Sequence, residues 1–184
     1  MAYILNELAN LPVDDNVHFY IFVVNGQFKE PLNEMIQSNF SSLGKSIGSN
    51  AVIAAGTDAK EFTTQVARKY LGEGNSDDSF TQSLPALLIT NAHPDKLTKE
   101  SVRLVVPLRD AEKRFGDWSQ FFKLLTAFVR GENRDFLDKF ESKEEDSMDV
   151  GNKILHLKPN LFGVGINVNE LLDRYNKRRK AKGE

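Results

Sequence analysis

The chain predicts an α/β fold, a mixed four-stranded sheet flanked by helices in the order β-α-β-α-β-β-α, followed by a C-terminal extension. Three features carry this expectation. Two apolar, strand-like runs are each followed by a helical apolar stripe. Two further strand-like runs then come in succession, with only a polar connection between them. A strongly amphipathic helix closes the series near residue 130. Successive βα units imply a parallel strand pair joined by a right-handed crossover, and the last two strands are expected to pair antiparallel.

The first strand is read from Val17-His-Phe-Tyr-Ile-Phe-Val-Val24, rich in β-branched and aromatic residues and stopped by Asn25-Gly26. Both of its alternating faces are apolar, as in a strand covered on two sides. Pro31 suits the first turn of a helix, and Leu32, Met35, Ile36, Phe40 and Leu43 form one apolar stripe ending near Gly44 or Gly48. Ala51–Ala55 is a second buried strand closed by Gly56. Thr57 or Asp58 then offers an N-cap, Asp58 with Glu61 at capping-box spacing, and Phe62, Val66 and Tyr70 mark a helix that Gly72 ends.

Residues 72–79 read as an exposed loop. Leu84-Pro85-Ala-Leu-Leu-Ile-Thr90 is the third strand, with proline at its entry. Val102–Leu108 is the fourth, and Pro107 inside the run marks it as an edge strand or a bulge. Asp117 caps a helix bearing Trp118, Phe121, Phe122, Leu125, Phe128 and Val129, and Phe136, Leu137 and Phe140 add one more helical piece.

Three parts follow from this pass: a domain over residues 1–140, an acidic linker over 141–152 and a strand/helix extension with a basic tail over 153–184. The 184 residues are 40% hydrophobic and 27% charged, ordinary for a globular chain. The formal net charge of −2 gives no overall bias toward nucleic acid. The linker carries Glu141, Glu144, Glu145, Asp146 and Asp149 against Lys143, whereas six bases between Arg174 and Lys182 stand against Asp173 and Glu184. Both blocks read as solvated surface. The N-terminus lacks the basic and long apolar regions of a signal peptide, and the longest apolar runs are about six residues against the roughly 20 needed to span a bilayer. A cytoplasmic protein away from the membrane is expected.

The element order, together with Leu84-Pro85-Ala-Leu-Leu-Ile, resembles the thioredoxin-like fold over roughly residues 15–130. The resemblance implies that Pro85 is cis, and that the segment Asn25–Pro31 stands where that family carries Cys-x-x-Cys. No cysteine occurs anywhere in the chain. Thiol–disulfide exchange needs a thiolate, so reductase, isomerase and peroxiredoxin chemistry is excluded, as are disulfides and thiolate metal sites. Cysteine-free relatives are typically binding or regulatory modules, which makes a non-catalytic interaction module the leading expectation.

Other motifs carry less. Gly44-Lys45-Ser46 imitates the end of a phosphate-binding loop, but Asn39 stands where that motif needs glycine, and the triplet ends a helix rather than following a strand. Phe162-Gly-Val-Gly165 lacks the third small residue of a dinucleotide fingerprint, since Val168 occupies that position. Asn91, His93 and Asp95 follow the third strand, where polar groups often meet ligands, although the same residues are ordinary turn formers. His18, His93 and His156 are too scattered to hold a metal, so neither metal nor cofactor is expected. Glu144-Glu145-Asp146 sit in a linker that cannot hold acid–base groups rigidly. No catalytic residue is assigned.

Two candidate surfaces remain. A groove beside the third strand would use Asn25, Gln27, Ser83, Leu84, Pro85 and His93 for a peptide or small molecule, as the resemblance implies for glutathione-binding relatives. The C-terminal segment would use Leu171, Leu172, Tyr175, Lys177, Arg178 and Arg179 to dock on a protein partner or on a second copy, because it is too small to bury a core alone. Nucleic-acid contact through its basic tail is a lesser alternative.

Overall fold

The computed structural model describes residues 1–25, 31–72, 78–98 and 101–141. Glu141, read as the start of the linker, ends a helix instead; the rest of the linker and the C-terminal extension, with Leu171, Leu172, Tyr175, Lys177, Arg178 and Arg179, lie outside the described residues, as do Gln27 and the glycine pair of residues 163 and 165.

Five strands form one mixed sheet: β1 (Ala2–Leu5), β2 (Phe19–Val24), β3 (Ala51–Gly56), β4 (Ala86–Thr90) and β5 (Arg103–Pro107), ordered β1-β3-β2-β4-β5. β3 pairs parallel to both β1 and β2, whereas β4 runs antiparallel to β2 and to β5. The sheet is therefore one strand wider than the sequence predicts. Ala2–Leu5 is a four-residue edge strand held only by β3, from Ala2 opposite Ile53 to Leu5 opposite Gly56. Four residues with one buried side chain give no readable period.

The helices are α1 (Pro31–Ser46), α2 (Ala59–Leu71), α3 (Asp78–Ser83), α4 (Leu108–Phe115), α5 (Trp118–Val129) and α6 (Asp135–Glu141). Asp58 caps α2 by accepting from the Glu61 N–H at 2.9 Å, while the Glu61 carboxylate accepts from Gln65 instead of closing the box. Two helices were not expected. α3 begins inside the stretch read as loop. α4 starts directly after Pro107, with Leu108, Ala111 and Phe115 buried at helical spacing and a charged outer face. Pro107 thus ends the edge strand and leads into a helix, where its missing N–H costs nothing.

Alternate residues of the strands feed two cores. Phe19, Ile21, Val23, Ile53, Leu87, Ile89, Leu104 and Val106 pack with buried residues of α1, α4, α5 and α6. Tyr20, Phe22, Val24, Val52, Ala54 and Leu88 pack with Phe62, Val66, Tyr70 and Leu71 of α2 and with Leu5, Leu8 and Leu11. This is a three-layer α/β/α arrangement, in which a sheet covered on both faces reads as continuous apolar runs.

Gly44 has a packing reason rather than a phosphate-binding one. A Cβ built there would lie 2.4 Å from the Ala2 Cβ and 3.0 Å from the Ala2 nitrogen. Glycine lets α1 approach the edge strand. Gly44→Ala should lower stability by about 1–3 kcal/mol through overpacking, less up to roughly 1 kcal/mol of helix propensity gained. Chemical denaturation checks it, and an unchanged midpoint would contradict the close approach.

Candidate functional site

The register of β2 on β4 decides which candidate residues meet. Val24 pairs with Ala86 and Tyr20 with Thr90, the two strands running in opposite directions. Asn25, just past the end of β2, therefore stands at the same end of the sheet as Ser83, Leu84 and Pro85, which precede β4. His93 follows Thr90 and lies at the opposite end. Ligand sites gather at strand carboxyl ends when strands run parallel; because β4 is reversed, its carboxyl end is remote from that of β2. The structure separates His93 from the other candidates.

At the Asn25 end, the backbone is fastened by Thr63 of α2. The Asn25 N–H donates to Thr63 Oγ1 at 2.8 Å, and the same hydroxyl donates to the Asn25 carbonyl at 3.1 Å. Across the strand pair, the Leu84–Pro85 peptide is cis. The Pro85 carbonyl accepts from the Leu108 N–H at 2.9 Å, tying the entry of β4 to the start of α4. The Ser83 hydroxyl is turned back onto the Phe80 carbonyl at 2.6 Å. Leu84 is buried in the core that α2 covers.

Against this satisfied framework one atom stands out. Asn25 is 8% exposed, and its carboxamide oxygen has no hydrogen-bond partner among the described residues. A buried acceptor left unpaired costs about 1–3 kcal/mol, and native structures contain few of them. The site's chemical capacity is accordingly narrow. Among the described residues it offers an acceptor for an N–H or O–H donor. Among the described residues no group of three or more His, Asp or Glu is arranged to hold a metal, and no helix is long and apolar enough to cross a membrane.

At the other end, His93 is 4% exposed and both ring nitrogens are engaged. Nδ1 accepts from the Asp95 N–H at 3.2 Å, and Nε2 lies 3.1 Å from the Leu11 carbonyl. A ring whose Nδ1 accepts must carry its proton on Nε2, so it donates to Leu11. The Tyr20 ring meets His93 edge-on at 5.6 Å. The Tyr70 hydroxyl donates to the Ala92 carbonyl at 2.9 Å. Burial first, then Tyr20 and Asp95, push the Tyr70 phenol far above its ordinary range, so it stays a donor. Burial, then Asp14 and Asp15, raise Tyr20 as well.

Thr63 is the site residue that sequence reasoning missed. A signal existed: it sits three residues before Val66 on the apolar stripe of α2, where a hydroxyl needs a partner. Comparison with protein-family models, with curated proteins and with solved structures found no match to this chain.

Proposed function

We propose that this chain is a redox-inactive, thioredoxin-like interaction module that receives an extended segment of a protein partner at the Asn25–Pro85 end of its sheet. The observation that carries the reading is the unpaired carboxamide oxygen of Asn25. Evolution removes such an atom cheaply, by an apolar side chain, unless a donor from outside completes it. Support also comes from the strand order β1-β3-β2-β4-β5 with Pro85 directly before β4, which suits the thioredoxin-like comparison. The absence of cysteine from the whole sequence removes that fold's sulfur chemistry while leaving its binding surface.

Asn25→Leu separates fold from function. Replacing an unpaired buried amide by an apolar side chain of similar size should raise stability by about 1–2 kcal/mol, a rise in Tm of roughly 2–4 °C per kcal/mol at this chain length. The same change should abolish assembly. Native mass measurement of the full chain purified from its own cell should find it in a complex, and the Asn25→Leu chain as a monomer. A wild-type chain that is only monomeric, or a variant that assembles as before, counts against the proposal.

A further inference from the structure

We infer that residues 162–168 of this chain's own C-terminal extension add to the open edge of β1 as a sixth strand. The inference concerns a lateral edge of the sheet and does not depend on the interaction module at Asn25. β3 binds one side of β1, and among the described residues no strand pairs with the other. The Met1 and Leu5 carbonyls turn toward β3 and its end, accepting from the Ile53 and Thr57 N–H groups at 2.8 and 2.9 Å. Backbone groups alternate sides along a strand, so the N–H and C=O of Ala2 and Ile4 point outward. Native edges are usually guarded by charge or proline. The opposite edge, β5, has Arg103 and Pro107, whereas Ala2–Leu5 has neither and leaves Ile4 68% exposed.

Three observations choose the occupant. The first is where the chain leaves the described domain. Glu141 ends α6, whose Phe136, Leu137 and Phe140 lie in the core on the α1 side of the sheet. Ile4 stands opposite Ala55, which packs against that same core, and opposed residues of paired strands point to one face. The chain thus departs on the side to which Ile4 points. The second is reach: residues 142–161 can extend to about 66 Å, against roughly 19 Å across five strands. The third is pattern. Phe162, Val164, Ile166 and Val168 alternate with Gly163, Gly165 and Asn167, the period of a strand with one covered face.

Laid along β1, this segment pairs with the outward groups of Ala2 and Ile4, and its apolar face covers Ile4 on the side shared with α1. Its glycines fall on the other face, beside Tyr3. The cost of closing the intervening loop grows only slowly with its length. A tethered segment also acts at an effective concentration of the order of millimolar, which favours the chain's own strand over one from a second copy.

Amide exchange of the full chain, followed by NMR, reads the edge directly. The Ile4 amide should be slowed to within about tenfold of Leu5, which faces β3. Val164→Asp with Ile166→Asp in the full chain should return Ile4 to the rate of an unstructured amide and leave Leu5 as it was. The chain holds no cysteine, so an introduced pair reports without interference. Ile4→Cys, combined in turn with Val164→Cys, Ile166→Cys or Val168→Cys, should give a disulfide inside a single chain in at least one pair. Facing positions on neighbouring strands bring Cα atoms to about 5 Å, within disulfide range. The inference is overturned if Ile4 exchanges freely in the unaltered chain, if its protection survives the double substitution, or if the disulfides join two chains, which assigns the edge to a second copy.

Discussion

Phe136→Ala is expected to cost about 3–5 kcal/mol, the usual range for emptying a buried aromatic position. Phe136 is fully buried, stacked on Phe128 at 5.7 Å and met by Phe115, Phe121 and Phe140 at 5.8, 5.6 and 5.4 Å. It belongs to α6, a helix of seven residues. Helices shorter than roughly 12 residues do not hold themselves together in water, so α6 persists because its rings are seated among those of α4 and α5. Leu137 of the same helix is fully buried in that core as well. The Arg114 guanidinium donates to the Lys139 carbonyl at 3.2 Å and lies 5.6 Å from the Phe140 ring. The pair Arg134–Asp138 is a surface contact of the kind worth little. Since a whole domain is stable by only about 5–15 kcal/mol, this one substitution removes a large share. Urea denaturation followed by circular dichroism measures it. A fall in midpoint at constant slope means that the whole unit is weakened, and a reduced slope means that α6 has come off beforehand. A loss below about 1 kcal/mol would contradict the cluster's part in holding α6.

Thr63→Val should cost about 2–6 kcal/mol while changing the side chain's size very little. The hydroxyl both receives the Asn25 N–H and gives its proton to the Asn25 carbonyl. Valine fills the space and serves neither group, leaving two buried backbone atoms unpaired at about 1–3 kcal/mol each. Thr63→Ser keeps the hydroxyl and loses a methyl group, for about 1 kcal/mol. The two denaturation midpoints should thus fall far apart, and faster amide exchange at Asn25 in the valine variant alone would locate the damage. Equal midpoints would mean that the hydroxyl is not what fastens the end of β2. Thr63→Val and Asn25→Leu touch the same residue with opposite expected signs, so their effects should not add.

Much of the sheet was legible because its central strands are covered on both faces. β2 and β4 are buried along their whole length, and such strands announce themselves as unbroken apolar runs. The cap of α2 was legible because Asp58 and Glu61 are local in sequence. The edge strand β1 was not, since a four-residue strand is specified by its neighbour β3 rather than by its own pattern. α4 was hidden because sequence reading carried the edge strand through Leu108, whereas the strand ends at Pro107 and Leu108 begins the helix. For the site, Asn25 and Pro85 could be named because each stands beside a strand end. What the sequence could not supply was strand direction: only the antiparallel register of β2 on β4 sends His93 to the far end. Nor could it show that Thr63 spans the gap to Asn25, a tie between residues 38 positions apart.

The lone indole offers one practical consequence. Trp118 is the only tryptophan of the chain, and its ring meets Phe121 edge-on at 5.3 Å and Phe122 at 6.4 Å. Its emission is thereby coupled to the order of the helical layer around α5, so the chain carries an intrinsic optical reporter for that side of the molecule. Loosening of α6 should redden the fluorescence, whereas an event confined to Asn25 and Thr63 should pass without colour change. Fluorescence and amide exchange would then sort disturbances of this protein by address.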